Sequence, residues 1–250
     1  MIESDFEYQK MFDAESSHWW YRNLHQYTID LIIRNFGTNK EISILDAGCG
    51  TGGLLNYLKE HGYNNIQGFD ISNKAISLCK ERGLNVKRGD LNKIAQVYSD
   101  RAFDVIVSND NFYYIEDIKR ENFIEDVYKI LNKPGCLIMN TPALKSFAGI
   151  HDICVGVSKR FSQKEVNHIF SFSKFELSTY YWPFLLSPLI FIIRSLQRVK
   201  LKYFSPQIIE SDINMLNSVI NHLLWKIVRF EIIYFEKKPF GSSIMILAKK

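Results

Sequence analysis

Between residues 42 and 141 short apolar runs alternate with stretches of helical period. Ile42, Ile44 and Leu45 read as a buried strand, and Leu54, Leu55 and Leu58 then recur one turn apart. The same alternation predicts further strands at Ile66–Phe69, at the start of Val86–Leu91, at Phe103–Asn109 and, after the Asn132–Gly135 turn, up to Met139. Helices are predicted over 51–61, 72–83 and 117–131, the second capped by Ser72 and the third opening around Asp117. A further helix is expected around 16–36. Strand and helix in strict alternation predict an α/β fold with a parallel, doubly wound sheet and right-handed crossovers. Beyond it, 173–181 and 242–248 are β-rich runs, and the stretch between them, 182–240, is too long for a hairpin and is expected to form a helical cap over a substrate. The 250 residues are read as one domain: an N-terminal helix in 1–40, a cofactor-binding core in 41–141, and cap or substrate elements in 142–172 and 182–240.

Composition supports a globular domain and removes several classes. With 46% hydrophobic and 23% charged residues the chain can bury a core. Its cysteines, at 49, 79, 136 and 154, form no C-x-x-C pair and no metal-ligand or iron–sulfur spacing, which predicts reduced thiols, no bound metal and a cytoplasmic setting. The polar, acidic opening Met1–Asp5 does not read as an export leader. A net charge of +4 is too mild to imply nucleic acid. The run Pro183–Ile193 is almost wholly apolar but well short of the ~20 residues that cross a bilayer. The basic Arg194, Arg198, Lys200 and Lys202 follow at once. The expected reading is a buried helix with a solvated basic end; the alternative is a peripheral membrane contact through 183–202.

The chemistry concentrates where the first strand ends. Ile44-Leu45-Asp46-Ala47-Gly48-Cys49-Gly50-Thr51-Gly52 is a strand closing on an acid and opening into alternating glycines before a helix. Glycine accepts positive φ and lets backbone press against a ligand at the helix N-terminus. Asp70 ends the second strand, where a carboxylate can accept both hydroxyls of a ribose. Gly48-x-Gly50-x-x-Gly53 with Asp70 also satisfies the dinucleotide fingerprint, so these two features admit an NAD(P)-dependent oxidoreductase as well.

Asp90 after the third strand changes the balance. Taken with the acid-x-Gly-x-Gly-x-Gly pattern at Asp46–Gly52, with Asp70, and with the strands at Phe103–Asn109 and Leu131–Met139, it resembles the ordered motifs of class I S-adenosylmethionine (SAM)-dependent methyltransferases. The resemblance implies a Rossmann-like seven-stranded sheet whose last strand is inserted antiparallel. It also implies SAM as cofactor, held by Asp46, Gly48, Cys49, Gly50, Gly52, Asp70, Ile71, Asp90, Leu91 and Asn109. The absence of a Tyr-x-x-x-Lys pair speaks further against the oxidoreductase. His18-Trp19-Trp20-Tyr21, His151-Asp152 and Pro239-Phe240-Gly241 are similar to a bacterial subgroup of that family acting mostly on small molecules, while Ser158–Ser162 departs from the subgroup's basic turn.

That resemblance implies methyl transfer to an oxygen or nitrogen of a small acceptor, lipid-linked or sugar-bearing molecules included. Few catalytic side chains are needed, because the cofactor supplies the electrophile. His151 is the expected base, and Asp152 is expected to orient it or to contact the substrate, both beyond the fifth strand at the sheet's carboxyl edge. Trp19, Trp20 and Tyr21 are expected to cover the cofactor or to pack the first helix on the sheet; Tyr113 and Tyr114 are expected to wall the pocket. Asn109-Asp110-Asn111-Phe112 lacks the paired prolines with which nucleic-acid and protein amino-methyltransferases grip a planar nitrogen, so nucleic acid is not expected as substrate. A protein that keeps SAM only as a structural or sensing ligand is the remaining alternative.

Overall fold

A computed structural model describes residues 5–204, 211 and 216–250. Seven strands run β1 (Ile44–Ala47), β2 (Ile66–Asp70), β3 (Lys87–Arg88), β4 (Phe103–Asn109), β5 (Leu131–Pro142), β6 (Glu176–Trp182) and β7 (Ser243–Lys249). Their order in the sheet is β3-β2-β1-β4-β5-β7-β6. β7 pairs antiparallel with both neighbours, Ile138 opposite Leu247 and Ser178 opposite Leu247, while β1 to β5 pair in parallel. This is the expected seven-stranded sheet with its last strand inserted in reverse.

Among the described residues ten α-helices surround it: α1 (Asp5–Ala14), α2 (Trp19–Phe36), α3 (Gly53–Glu60), α4 (Asn73–Glu81), α5 (Ile94–Val97), α6 (Arg120–Ile130), α7 (Ile150–Val155), α8 (Gln163–Phe170), α9 (Ser187–Phe204) and α10 (Ser218–Tyr234). The strands have the two-residue period of a sheet buried on both sides. Ile44, Val105, Val107, Ile138, Met245 and Leu247 face a core built with α2, α3 and α10. Leu45, Ile106, Leu137, Met139, Ile244 and Ile246 face the opposite core, under α6 and α8.

Local chemistry accounts for several boundaries. Ser72 caps α4 as expected, accepting the Ala75 N–H at 3.3 Å. The helix expected around 16–36 is α2, a separate α1 precedes it outside those bounds, and His18 caps α2 by accepting the Trp20 N–H on its ring nitrogen at 3.3 Å. Asp117 opens a 3₁₀ turn, not α6, and its carboxylate pairs with Arg120 and with Lys159. In the stretch 182–240, where a cap is expected, the described residues form α9 and α10. Among the described residues no helix is long and apolar enough to cross a membrane.

α9 departs from the expected buried helix. Two of its polar side chains turn inward, Gln197 Oε1 accepting the Ile150 N–H at 3.2 Å and Arg198 donating to the Ser146 and Ala148 carbonyls at 2.8 and 2.6 Å, while Lys200 and Lys202 at its end are exposed as expected. The apolar stripe is left facing out.

Candidate active site

Three strand ends converge on one cavity of 610 Å³, within the size range of small-molecule sites. At the end of β1 the chain turns through Gly48, Gly50 and Gly52 with φ of +75°, +53° and +81°. These are left-handed values that only glycine adopts without strain. A Cβ at Gly48 would stand 2.4 Å from the Asn111 side-chain nitrogen, which donates to the Ala47 carbonyl at 2.7 Å and so braces the loop from behind. On the cavity side, a Cβ at Gly50 would meet the Met11 methyl at 3.1 Å.

Asp70, at the end of β2, accepts the Gly50 N–H at 2.9 Å and the Ser72 N–H at 2.8 Å. It thus ties the loop to the start of α4 while its carboxylate borders the cavity. Burial raises its pKa, against these N–H groups that lower it. Ile71 beside it is an exposed apolar side chain on the cavity wall. Asp90 accepts the Asn92 N–H at 2.9 Å, and with Leu91 it lines the same end. At the end of β4 the Asn109 side-chain oxygen is buried without a hydrogen-bond partner among the described residues, and the residue lines the cavity. Such an acceptor costs roughly 1–3 kcal/mol unless something donates to it.

The sequence did not point to α1 as part of this site. Glu7, Tyr8, Met11 and Glu15 line the cavity from α1 and the turn after it. The buried Glu15 carboxylate takes the Thr51 hydroxyl, receives Arg82 at 3.0 Å, and bonds the Gly53 N–H, so it caps α3 from a distant part of the chain. Burial pushes its pKa up to about 7 despite those partners. Asp46 goes up to about 8, through burial and then the neighbouring Glu15 and Asp70. Asp110, whose φ is +52°, is pushed up to about 7 by desolvation, which outweighs its bonds from Asn140 at 2.9 and 3.1 Å and the nearby Arg160. In a chain of net charge +4 the cavity is therefore acidic at its glycine-loop end. A positive charge bound beside these carboxyls would favour their ionised forms.

A family model described as "Methyltransferase domain" matches residues 38–174. The chain belongs to the methyltransferase-domain family. SAM is accordingly its cofactor, and the nicotinamide alternative falls away. Over 135 residues this methyltransferase domain is 29% identical to the malonyl-[acyl-carrier protein] O-methyltransferase of Priestia megaterium, covering 52% of this chain and 47% of that one. It is 33% identical over 107 residues to phosphoethanolamine N-methyltransferase 3 of Arabidopsis thaliana, covering 41% of this chain and 21% of that one. The chain thus spans about half, or less, of the curated relatives it matches. A solved SAM-dependent methyltransferase from Archaeoglobus fulgidus shares the fold, with a TM-score of 0.58, 16% identity and coverage of 92% and 94%.

In this methyltransferase domain the residues present fit the cofactor: a cradle of glycines, two acids at strand ends, and an acceptor oxygen at Asn109 awaiting a donor. Asp46, Gly48, Cys49, Gly50, Asp70, Ile71, Asp90, Leu91 and Asn109 all border the cavity. Gly52 lies behind the loop, where a Cβ would stand 2.7 Å from the Leu84 side chain. Trp19, Trp20, Tyr21, Tyr113, Tyr114 and His151 border it too. Trp20 also packs, stacking on Trp182 at 5.5 Å and 19°.

Asp152 corrects an expectation. Its carboxylate takes the Gly149 N–H at 2.6 Å and two Arg160 nitrogens at 2.7 and 3.1 Å, so it closes the first turn of α7 and clamps Arg160 instead of orienting His151. Arg160 also donates to the Ala143 and Ser242 carbonyls at 3.0 and 3.1 Å and itself borders the cavity. The turn that departs from the subgroup's pattern thus supplies a wall of the site.

Proposed function

We propose that this protein transfers the SAM methyl group to an oxygen or nitrogen of a small acceptor with a polar head and an apolar body. The observation that carries the reading is the make-up of the cavity. Its glycine-loop end is lined by acids, and it continues past His18, Tyr21, Tyr113 and Arg160 to a wall of Leu186, Leu189, Ile190, Ile193 and Leu224. The relatives support both atoms, one being an O- and the other an N-methyltransferase.

SAM supplies a methyl group on a sulfonium, open to in-line attack. The chain's own residues bind, orient and dry the site. Asp70, Asp90 and Asn109 would accept hydrogen bonds from the bound cofactor, and Glu15 holds the loop in shape. Tyr21, Tyr113 and Tyr114 exclude water from the acceptor. His151 takes the acceptor's proton when a hydroxyl is methylated, and Asp152 acts through Arg160 as a positioning residue. Asp110 is the second candidate for the base, favoured by its raised pKa of about 7 and its strained, fixed backbone.

The test is calorimetric titration with S-adenosylhomocysteine (SAH), followed by an acceptor screen using radiolabelled SAM. Micromolar SAH binding and label transfer to an amphiphilic hydroxyl or amine support the reading. Absence of SAH binding overturns it. Loss of turnover in Asp110→Asn but not in His151→Ala would move the proton to Asp110.

A further inference from the structure

α9 and α10 carry apolar side chains on their outward faces as well as on the faces that pack into the core. On α9 the side chains of Leu189, Ile192, Ile193, Leu196, Val199 and Tyr203 lie one turn apart and are 43–69% exposed, while Gln197 and Arg198 bond inward. α10 repeats the arrangement. Val219, Leu223, Phe230, Ile233 and Tyr234 are 50–74% exposed. Its polar Asn221 is buried, donating to the Ser17 carbonyl and accepting the Trp19 N–H, both at 2.8 Å, and its buried Glu231 accepts the Phe184 and Leu185 N–H groups. Leaving two such stripes in water is unfavourable by roughly 25 cal/mol per Å² of apolar surface. Monomeric soluble proteins rarely expose contiguous apolar surface on this scale.

We propose that the outward faces of α9 and α10 dock on an anionic lipid bilayer. The occupant is argued from charge. Every charged side chain on α9 is basic, and Lys200 and Lys202 are exposed at its far end. α10 adds an exposed Lys226 within its stripe, and its single acid is the buried Glu231. Apolar stripes accompanied only by exposed cations match an acyl boundary beneath anionic headgroups. A second copy of the same face would set these cations against one another. An 18-residue α9 is about 27 Å long and lies in the interface plane instead of spanning it.

The cavity opens beside this face, because Leu189, Ile193 and Leu216 both border it and are exposed. An acceptor whose apolar body sits in the bilayer can then reach the site without crossing water. That delivery rests on the methyl-transfer reading, whereas the docking does not.

The experiment is co-sedimentation of the full chain with phosphatidylcholine vesicles, with and without phosphatidylglycerol, alongside SAH calorimetry and sedimentation velocity. The chain should pellet with the mixed vesicles and at least about tenfold less with phosphatidylcholine alone. Leu196→Glu with Leu223→Glu should lower vesicle binding at least about tenfold with SAH affinity and melting temperature unchanged. Lys200→Glu with Lys202→Glu should remove the preference for the anionic lipid. A parent chain that stays in the supernatant, or equal pelleting of parent and variants, overturns the docking. So does a dimer dispersed by the leucine changes without vesicle binding. Vesicle binding without SAH binding would leave the docking standing and strike the methyl-transfer reading alone.

Discussion

Asp70 carries two duties through one carboxylate, tying the Gly50 and Ser72 N–H groups while facing the cavity. Asp70→Ala should therefore weaken SAH binding about tenfold to hundredfold, the value of one or two charge-assisted hydrogen bonds, read by calorimetry. Unchanged affinity would remove Asp70 from the cofactor. Gly50→Val places a branched side chain at φ +53° against Met11 and should abolish SAH binding, at a strain cost of about 1–3 kcal/mol. His151→Ala should leave SAH affinity intact and slow turnover of a hydroxyl acceptor by roughly a hundredfold or more. Equal turnover would take the proton elsewhere. Asp46, Asp70 and Asp90 were legible in the sequence because strand ends and glycine spacing announce them. Glu15 and Asp110 were not. Their surroundings come from residues far away in the chain, Thr51 and Arg82 in one case and Asn140 in the other, and no local pattern encodes such a meeting.

The βα core was readable at the level of elements because β1 to β4 each end in, or are followed at once by, a glycine or an acid, and α3, α4 and α6 each carry an apolar face. α1 escaped because its decapeptide mixes buried Glu7 and Tyr8 with an exposed Phe6, so its pattern has no clean face until the cavity and Ser211 of the cap are in place. Its turn holds α3 by its first residues. Glu15→Ala should lower stability by about 2 kcal/mol or more, by uncapping α3 and leaving Arg82 without its carboxylate, and should weaken SAH binding as the loop loosens. A denaturant midpoint equal to the parent's would refute that. α9 misled for a different reason. An apolar stripe at helical spacing signals a face that avoids water, and periodicity cannot tell whether a protein core or another apolar phase receives it.

Across the whole molecule, the raised carboxyls set the response to pH. Glu15, Asp46 and Asp110 keep their protons in the folded chain to about pH 7, 8 and 7, whereas in the unfolded chain they release them near pH 4. The folded chain binds more protons throughout that window, so stability falls as pH rises through it. His25 acts oppositely: burial lowers its pKa to about 3, so its contribution is lost as pH falls below about 6.5. Ligand-free protein should lose on the order of 3 kcal/mol between about pH 6 and 8, measured by urea unfolding. A flat or rising profile would show that these acids ionise freely. The sheet order has a consequence for synthesis. β7 lies between β5 and β6, yet residues 183–242 must be made before it. At about 5–20 residues per second the ribosome takes several seconds over that stretch. Throughout that interval β5 and β6 are unpaired edges on a nascent chain whose apolar cap helices are already emerging, the period in which it most needs a chaperone or the membrane itself.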